Sequence, residues 1–381
     1  MENKEKNDQI LIDEKNEGEV SRRNFLQWMG VGAVGGFVGT MGAFSVSPWR
    51  KRFLEERKKG DIDIGEIKKL TITCISETSW FDNATLTKDF ADMGGLLVNQ
   101  WEYPWPPAGK PGNPRGDLNV DNAGGFAALL DIELLDGDRK FILLDTGWNF
   151  DWTDKRFQET GVDKMLKNGE IDNLFVSHEH FDHFWGLPAT MKYKNDIDMY
   201  IGGDYYPEGK EFIKQSGFKG KLYETQSKKF HLFPVHDKNG KQIPGTAGYY
   251  FPVGIICRVF GEQSLFFNVK DHGIVQVTGC CHQGILQMAE ACYSTIKGGD
   301  RPYGVYGGLH ISPFEDWDPR YDDLVFGLKE YGFQKIGCNH CTGNLTAHKF
   351  VEAGYPVIKG TASFGSKCAD YLGNGDTIVF G

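Results

Sequence analysis

The sequence predicts an α/β domain rich in loops, preceded by an N-terminal segment outside the fold. Three observations carry that expectation. Short runs dominated by Val, Ile, Leu and Phe recur from Lys69 to the C-terminus, as buried strands do. Many of the 49 glycines fall in the short turns between those runs. Histidines and acidic residues gather directly after several runs, at the strand ends where open α/β folds commonly place their ligands. Hydrophobic residues at 40% and charged residues at 25% mark an ordinary globular chain. The 381 residues allow one large domain or two ordinary ones, and no repeat or composition break divides the part after Lys69, so one domain over 69–381 is expected. A formal net charge of -10 argues against a general nucleic-acid binder, whose affinity would need clustered Lys and Arg, but leaves room for a local basic pocket.

The N-terminus reads as a targeting segment. Residues Met1 to Val20 are polar and aperiodic, and Ser21-Arg22-Arg23-Asn24-Phe25-Leu26 then precedes an uncharged Gly- and Val-rich run from Gln27 to Pro48. A soluble helix is disfavoured there, because each interior glycine costs about 1 kcal/mol relative to Ala. Paired arginines before such a run resemble a twin-arginine signal. The expectation is a signal region over 1–47 and a charged linker over 48–68. The translocation machinery is the expected partner, and the destination the periplasm or the outer face of the cytoplasmic membrane. Ala43-Phe44-Ser45 offers small residues for cleavage, while the basic stretch from Lys51 to Lys59 keeps an uncleaved anchor open. Such an anchor is the one expected membrane contact.

Along the remainder, Leu70 to Ile75 alternates and is β-branched, which predicts a first strand. Trp101 to Asp117 holds five prolines and must be irregular, its Trp101, Tyr103 and Trp105 read as pinning the loop onto the core, with the lining of a substrate entrance as alternative. Gly125 to Leu135 and Lys140 to Leu144 predict two strands joined at Asp136-Gly137. A helix is expected over Asp154 to Asn168, then a buried strand from Asn173 to Val176. Later strands are expected over Gly273 to Val277, Tyr303 to Tyr306 and Gln334 to Gly337. The eight cysteines are too sparse for a disulfide scaffold even in an oxidising compartment. Cys338 and Cys341 have the spacing of a redox pair or half a zinc knuckle, but no second C-x-x-C completes a four-cysteine site.

The chemistry concentrates in Ser177-His178-Glu179-His180-Phe181-Asp182-His183, which follows an apolar strand. Alternate residues of extended chain share a face, so His178 and His180 point together, and a turn after Phe181 brings Asp182 and His183 to an adjacent point. Imidazole and carboxylate are ligands that Zn²⁺ prefers and that also suit Fe or Mn, so one or two ions are expected. His282 follows a strand within a glycine-flanked loop and is read as the third ligand of the first ion. His310 also ends a strand, and is read as a substrate-facing or supporting residue with a ligand role as alternative. His231, His236, His272 and His348 lie among charged residues and are read as surface positions.

The H-x-H-x-D-H string after a strand resembles the metallo-β-lactamase superfamily. Phe141 to Gly147, ending Asp145-Thr146-Gly147, looks like the D-T-G that precedes that motif there. Thr278-Gly279-Cys280-Cys281-His282-Gln283-Gly284-Ile285, Gly307-Gly308-Leu309-His310-Ile311 and His340-Cys341-Thr342-Gly343 resemble the strings of one branch. That branch includes dihydropterin-ribofuranosylaminobenzene phosphate synthases of the methanopterin pathway beside many metal-dependent hydrolases. The resemblance runs from about Leu70 to the C-terminus. It implies an αβ/βα four-layer sandwich with two mixed sheets inside and the metal site at one edge. It further implies that His340 closes a second metal site with Asp182 and His183, and that Asp145 orients a ligand histidine. The sequence departs from the pattern at Glu179, usually Gly, and at Cys280, where most of the superfamily has a bridging aspartate. Cys280 is thus a possible ligand. The commoner fate of a free Cys is a buried small hydrophobe, and that reading is preferred.

A metal on His178, His180 and His282 would bring its water's pKa to about 7, making hydroxide available at neutral pH. Asp182 and His310 are the expected catalytic side chains, the first orienting water and the second protonating a leaving group. The expected activity is an exported metal-dependent hydrolase of a small-molecule ester, lactone or phosphoester. The branch implies a transferase as alternative, and the cysteines prompt a third, a metal-binding redox or sensor protein.

Overall fold

The computed structural model describes residues 57–77, 125–254, 259–362 and 368–381. The twin-arginine segment, residues 48–56 of the expected linker and the loop from Trp101 to Asp117 lie outside the described residues. One compact unit spans Arg57–Gly381. It begins earlier than the sequence suggested, because Ile64 and Ile67 are buried and Ile67 bridges to Val269. Among the described residues no helix is long and apolar enough to cross a membrane.

Two sheets organise the unit. The first contains β1 (Lys69–Glu77), β2 (Phe126–Glu133), β3 (Arg139–Leu144), β4 (Asn173–Phe175), β5 (Asp198–Gly202), β6 (Leu222–Thr225) and β13 (Thr377–Phe380), in the order β13-β1-β2-β3-β4-β5-β6. The second contains β7 (His231–His236), β8 (Gln242–Phe251), β9 (Glu262–Val269), β10 (Gly273–Thr278), β11 (Pro302–Gly308) and β12 (Lys335–Asn339), in the order β12-β11-β10-β9-β8-β7. Each sheet is antiparallel on one side and parallel on the other. The parallel strands are β3 to β6 in the first and β10 to β12 in the second.

Strand periodicity divides the apolar residues among three cores. Leu70 and Ile72 of β1, Ile142 and Leu144 of β3, Phe175 of β4, and Val275 and Val277 of β10 share one cluster. The residues between them, Leu143, Leu174 and Val176, join a second cluster with helices α1 (Phe150–Thr160), α2 (Val162–Lys167), α3 (Phe181–Phe184), α4 (Leu187–Tyr193) and α5 (Pro207–Gln215). Ile274, Val305 and Ile336 join a third with α6 (Ile285–Thr295), α7 (Arg320–Leu328) and α8 (Asn344–Glu352). Successive strand residues face opposite sides, so three cores across two sheets make four layers, helix–sheet–sheet–helix. Each fully buried Val, Leu, Ile or Phe adds roughly 1.5–3 kcal/mol, which makes this alternation the main force fixing strand register.

Two expectations need correction. The single helix over Asp154 to Asn168 is two helices, and the first begins earlier. Asn149 caps it, its side chain accepting from the Trp152 amide at 3.0 Å. It ends where Gly161 takes φ 79°, a left-handed cap. His231 and His236, read as surface positions, open and close β7 and are only partly exposed. His236 is part-buried, with Nδ1 2.9 Å from the Tyr200 hydroxyl and its ring stacked on Tyr223.

Candidate metal centre

The parallel strands of both sheets end at the same edge, and the site assembles from their carboxyl ends. β3 delivers Asp145. β4 leads into Ser177, His178 and His180, with Asp182 and His183 on α3. β10 leads into Cys280 and His282, β11 into His310, and β12 into His340 and Cys341.

Six side chains predicted from the sequence come together in two groups. His178, His180 and His282 form one, and Asp182, His183 and His340 the other, with the ligand atoms of each group all within 4.8 Å of one another. In the first, His178 Nε2 lies 3.0 Å from His180 Nδ1, and the His282 ring centroid lies 4.7 Å from that of His178 and 4.9 Å from that of His180. In the second, His183 Nε2 lies 3.0 Å from His340 Nε2, and Asp182 Oδ2 lies 3.3 Å from His340 Nε2. The groups touch, as the His178 and His183 rings are 4.2 Å apart.

Carboxylates and a hydroxyl aim these rings. Asp145 Oδ2 lies 2.6 Å from His183 Nδ1. The same carboxylate accepts from the Ser177 amide at 2.6 Å and the Ser177 hydroxyl at 2.7 Å, and that hydroxyl lies 2.8 Å from His178 Nδ1. Glu262, at the start of β9, was not singled out by sequence. Its Oε2 contacts His282 Nδ1 at 2.7 Å and accepts from the His282 amide at 2.8 Å, while Oε1 accepts from the Cys281 amide at 2.7 Å. Fixing Nδ1 in this way leaves the Nε2 lone pair of His282 and of His183 facing the centre, the usual support of a metal-binding histidine.

Electrostatics agrees with this division of labour. Burial foremost, and then the neighbouring histidines, hold His178 well below the usual imidazole range; burial and His282 do the same for His180. Both are therefore neutral, the form that binds metal. Burial opposes ionisation of Asp182, but His183 and His340 overcome it and hold its carboxyl well below the usual range. Burial likewise works against charge on His183, and Asp182 and Asp145 outweigh it to raise this imidazole to about 9. Glu262 is pushed up by burial yet brought to about 2 by His282 and the backbone donors. His180 Nε2 and His282 Nε2 are buried and have no hydrogen-bond partner. Polar nitrogens stripped of water with nothing to bind are costly, and a cation satisfies such lone pairs. Neutral His178 and His180, the ionised Asp182 and the orphaned nitrogens together fit a divalent ion.

The backbone is strained where it delivers these groups. Asp145, Cys281, His310 and His340 take φ of 59°, 53°, 48° and 46° without being glycine. Such positions cost on the order of 1–3 kcal/mol each and cluster at functional sites. Gly279 allows a close approach, since a Cβ there would lie 2.2 Å from Ser177 Oγ and 2.8 Å from Asp145 Oδ2.

The cysteines call for one addition and one correction. Cys280 is buried in an apolar cluster, as the preferred reading has it, and its sulfur also lies 3.0 Å from His183 Nε2, within the potential ligand groups. Cys338 and Cys341 do not act as a C-x-x-C unit. Cys338 packs into the outer core of the second sheet, whereas Cys341 turns to Cys280, with the sulfurs 3.3 Å apart. His310 is exposed at the rim, its ring 4.5 Å from that of His282. His231, His236, His272 and His348 belong to none of the ligand groups described above. Glu179 accepts from the Tyr206 amide at 2.9 Å, at the start of α5, and so ties the ligand loop to that helix.

A four-layer sandwich with a histidine-rich centre at one sheet edge defines a metallohydrolase-like class of fold. The family model described as the metallo-beta-lactamase superfamily matches residues 132–265, a segment holding Asp145 and the whole H-x-H-x-D-H motif. Among the chain's relatives is 7,8-dihydropterin-6-methyl-4-(beta-D-ribofuranosyl)-aminobenzene-5'-phosphate synthase of Methanocaldococcus jannaschii. The two are 26% identical over 259 residues, 60% of this chain and 84% of the relative. Similar solved structures include a metal-dependent hydrolase of the beta-lactamase superfamily, 17% identical, with a TM-score of 0.44 over 74% of this chain and 92% of that one. A quorum-quenching N-acyl homoserine lactone lactonase is 16% identical, with a TM-score of 0.34 over 73% and 94%.

Proposed function

We propose that the protein is a metal-dependent hydrolase of a small ester, lactone or phosphoester, exported by the twin-arginine route. The observation that carries the reading is the convergence of His178, His180 and His282 with Asp182, His183 and His340 around buried, unpartnered imidazole nitrogens. These six residues would hold one or two divalent ions, with Zn²⁺ first and Fe or Mn as alternatives. A bound ion would supply Lewis acidity toward a carbonyl or phosphoryl oxygen and acidify coordinated water. Asp182, kept ionised between His183 and His340, accepts a hydrogen bond from the attacking water and so orients it. His310 at the exposed rim stands where a leaving group departs, and donates a proton to it. Export is supported by Arg22-Arg23 before the uncharged run from Gln27.

Metal analysis of the purified full chain, paired with a screen of carboxylic esters, lactones and phosphoesters, tests the activity. Stoichiometric metal without turnover of any class would overturn the hydrolase reading. Replacing both Arg22 and Arg23 by Lys tests the export: folded protein is expected to stay in the cytoplasm, and unchanged delivery would show that another signal acts. A second reading, a transferase joining a pterin to an aminobenzene ribotide, draws support from the synthase of Methanocaldococcus jannaschii. Formation of a coupled product with no hydrolysis of either substrate would favour it.

A further inference from the structure

One buried nucleophile at the centre has no part in the reading above. Cys341 directly follows His340, and in extended chain neighbouring side chains point to opposite faces. Here they do not diverge. His340 takes φ 46° and opens a 3-10 turn, His340–Thr342, so that the imidazole and the thiol both reach the centre. Ligand atoms of Cys280, His340 and Cys341 lie within 4.8 Å of one another, and all three residues are buried. Cys341 Sγ is 3.3 Å from Cys280 Sγ, which is itself 3.0 Å from His183 Nε2. Space for this sulfur depends on Gly308, where a Cβ would lie 2.7 Å from Cys341 Sγ. Close as they are, both cysteines are free thiols. Packing alone accounts for other buried cysteines of the chain, such as Cys292 and Cys338, which sit in an apolar cluster with Ile274, Val305 and Ile336. Cys280 and Cys341 also border an apolar cluster, with Ile75, Leu143 and Val176, but their sulfurs in addition meet each other and the imidazoles of His183 and His340.

We propose that Cys341 is a metal ligand together with Cys280, so that the Asp182–His183–His340 half of the centre is a sulfur-bearing site. The inference rests on the metal reading above and adds to it a ligand and a class of ion. Thiolates select zinc, cobalt(II) or iron(II) over magnesium, calcium or manganese, which prefer oxygen. Each thiol gives up its proton to solvent as it binds, so loading releases acid. The group His178, His180 and His282 contains no cysteine of its own, although the Cys280 sulfur lies within 4.8 Å of ligand atoms of His178 and His282.

The test loads the metal-free full chain with Co²⁺ under argon and reads the near-ultraviolet thiolate-to-cobalt charge-transfer absorption. We expect the band in the wild type, a weaker band in Cys280→Ser and in Cys341→Ser, and its loss in the double variant, with visible cobalt bands persisting from the histidine half. A wild-type spectrum in Cys341→Ser overturns the proposal. A wild type that takes up no cobalt overturns the metal reading itself. A second measurement needs no variant: alkylation of the folded wild type, mapped by peptide, with and without Zn²⁺. Zinc is expected to shield Cys280 and Cys341. Equal labelling of Cys341 in both states, or a Cys280–Cys341 disulfide in the zinc-loaded protein, overturns the assignment.

Discussion

The two sheets furnish the site in different ways. The seven-stranded sheet supplies four candidate ligands from one loop of six residues, His178 to His183, after a single strand. The six-stranded sheet supplies its share from three separate strand ends, at Cys280 to His282, His310, and His340 to Cys341. A contiguous loop fixes its geometry locally, through the α3 turn and Ser177. Dispersed ligands depend on the parallel pairing of β10, β11 and β12, and on the buried Glu262 that reaches them from β9. The first arrangement tolerates changes in the distant core; the second is sensitive to them.

The largest expected effect falls on the contiguous loop. His180→Ala removes one of three clustered imidazoles and should abolish turnover and most bound metal; full metal stoichiometry in that variant would break the comparison at its root. Cys280→Asp comes next. If the sulfur is a ligand, a carboxylate in its place should hold metal and shift preference toward manganese, as competition between Zn²⁺ and Mn²⁺ would reveal. If Cys280 only packs, the buried charge should destabilise the fold by several kcal/mol, visible as a lower denaturation midpoint. Glu262→Gln replaces one of two accepting oxygens by a donor and should weaken metal binding about 10–100-fold, measured by chelator competition. The same variant sharpens a pH effect. Glu262 is held at about 2 in the folded chain against an ordinary value of 4.5, so its contribution is present above 4.5 and is lost as pH falls toward 2. Acid denaturation of the metal-free wild type should therefore be steeper over that interval than that of Glu262→Gln. The smallest effect is expected for Gly308→Ala. Its methyl would lie 2.5 Å from the Gly279 carbonyl oxygen and 2.7 Å from the Cys341 sulfur and should cost about 1–3 kcal/mol, measured by urea unfolding, with the histidine half still able to bind cobalt.

This contrast also explains what the sequence made legible. The strands at Asn173 and Gly273 were visible because each is an uninterrupted apolar run ending in ligand-type residues, and their cores alternate as such runs dictate. The H-x-H-x-D-H loop was readable because its spacing carries its own geometry. Glu262 was missed because it has no motif; the usable signal was an acidic residue opening a strand in which every residue is buried. Cys341 was paired with Cys338 by spacing alone. Strand β12 ends between them, placing one on each side of the sheet and leaving Cys341 to a partner 61 residues away. The break at Gly161 was hidden because helical composition continues on both sides of one left-handed residue.

Asp145 has a consequence beyond steering a single ring. Its carboxylate reaches His183 directly and His178 through the Ser177 hydroxyl, so one side chain grips a member of each ligand group. A first ion that settles one ring also settles the shared carboxylate, and with it the ring of the neighbouring position. Occupancy of the two positions should therefore be cooperative, the second ion entering a pocket already ordered by the first. Calorimetric titration of the metal-free chain would show this as a second binding event tighter than the first. In Asp145→Asn, where the amide can no longer accept from both partners, the two events should become independent.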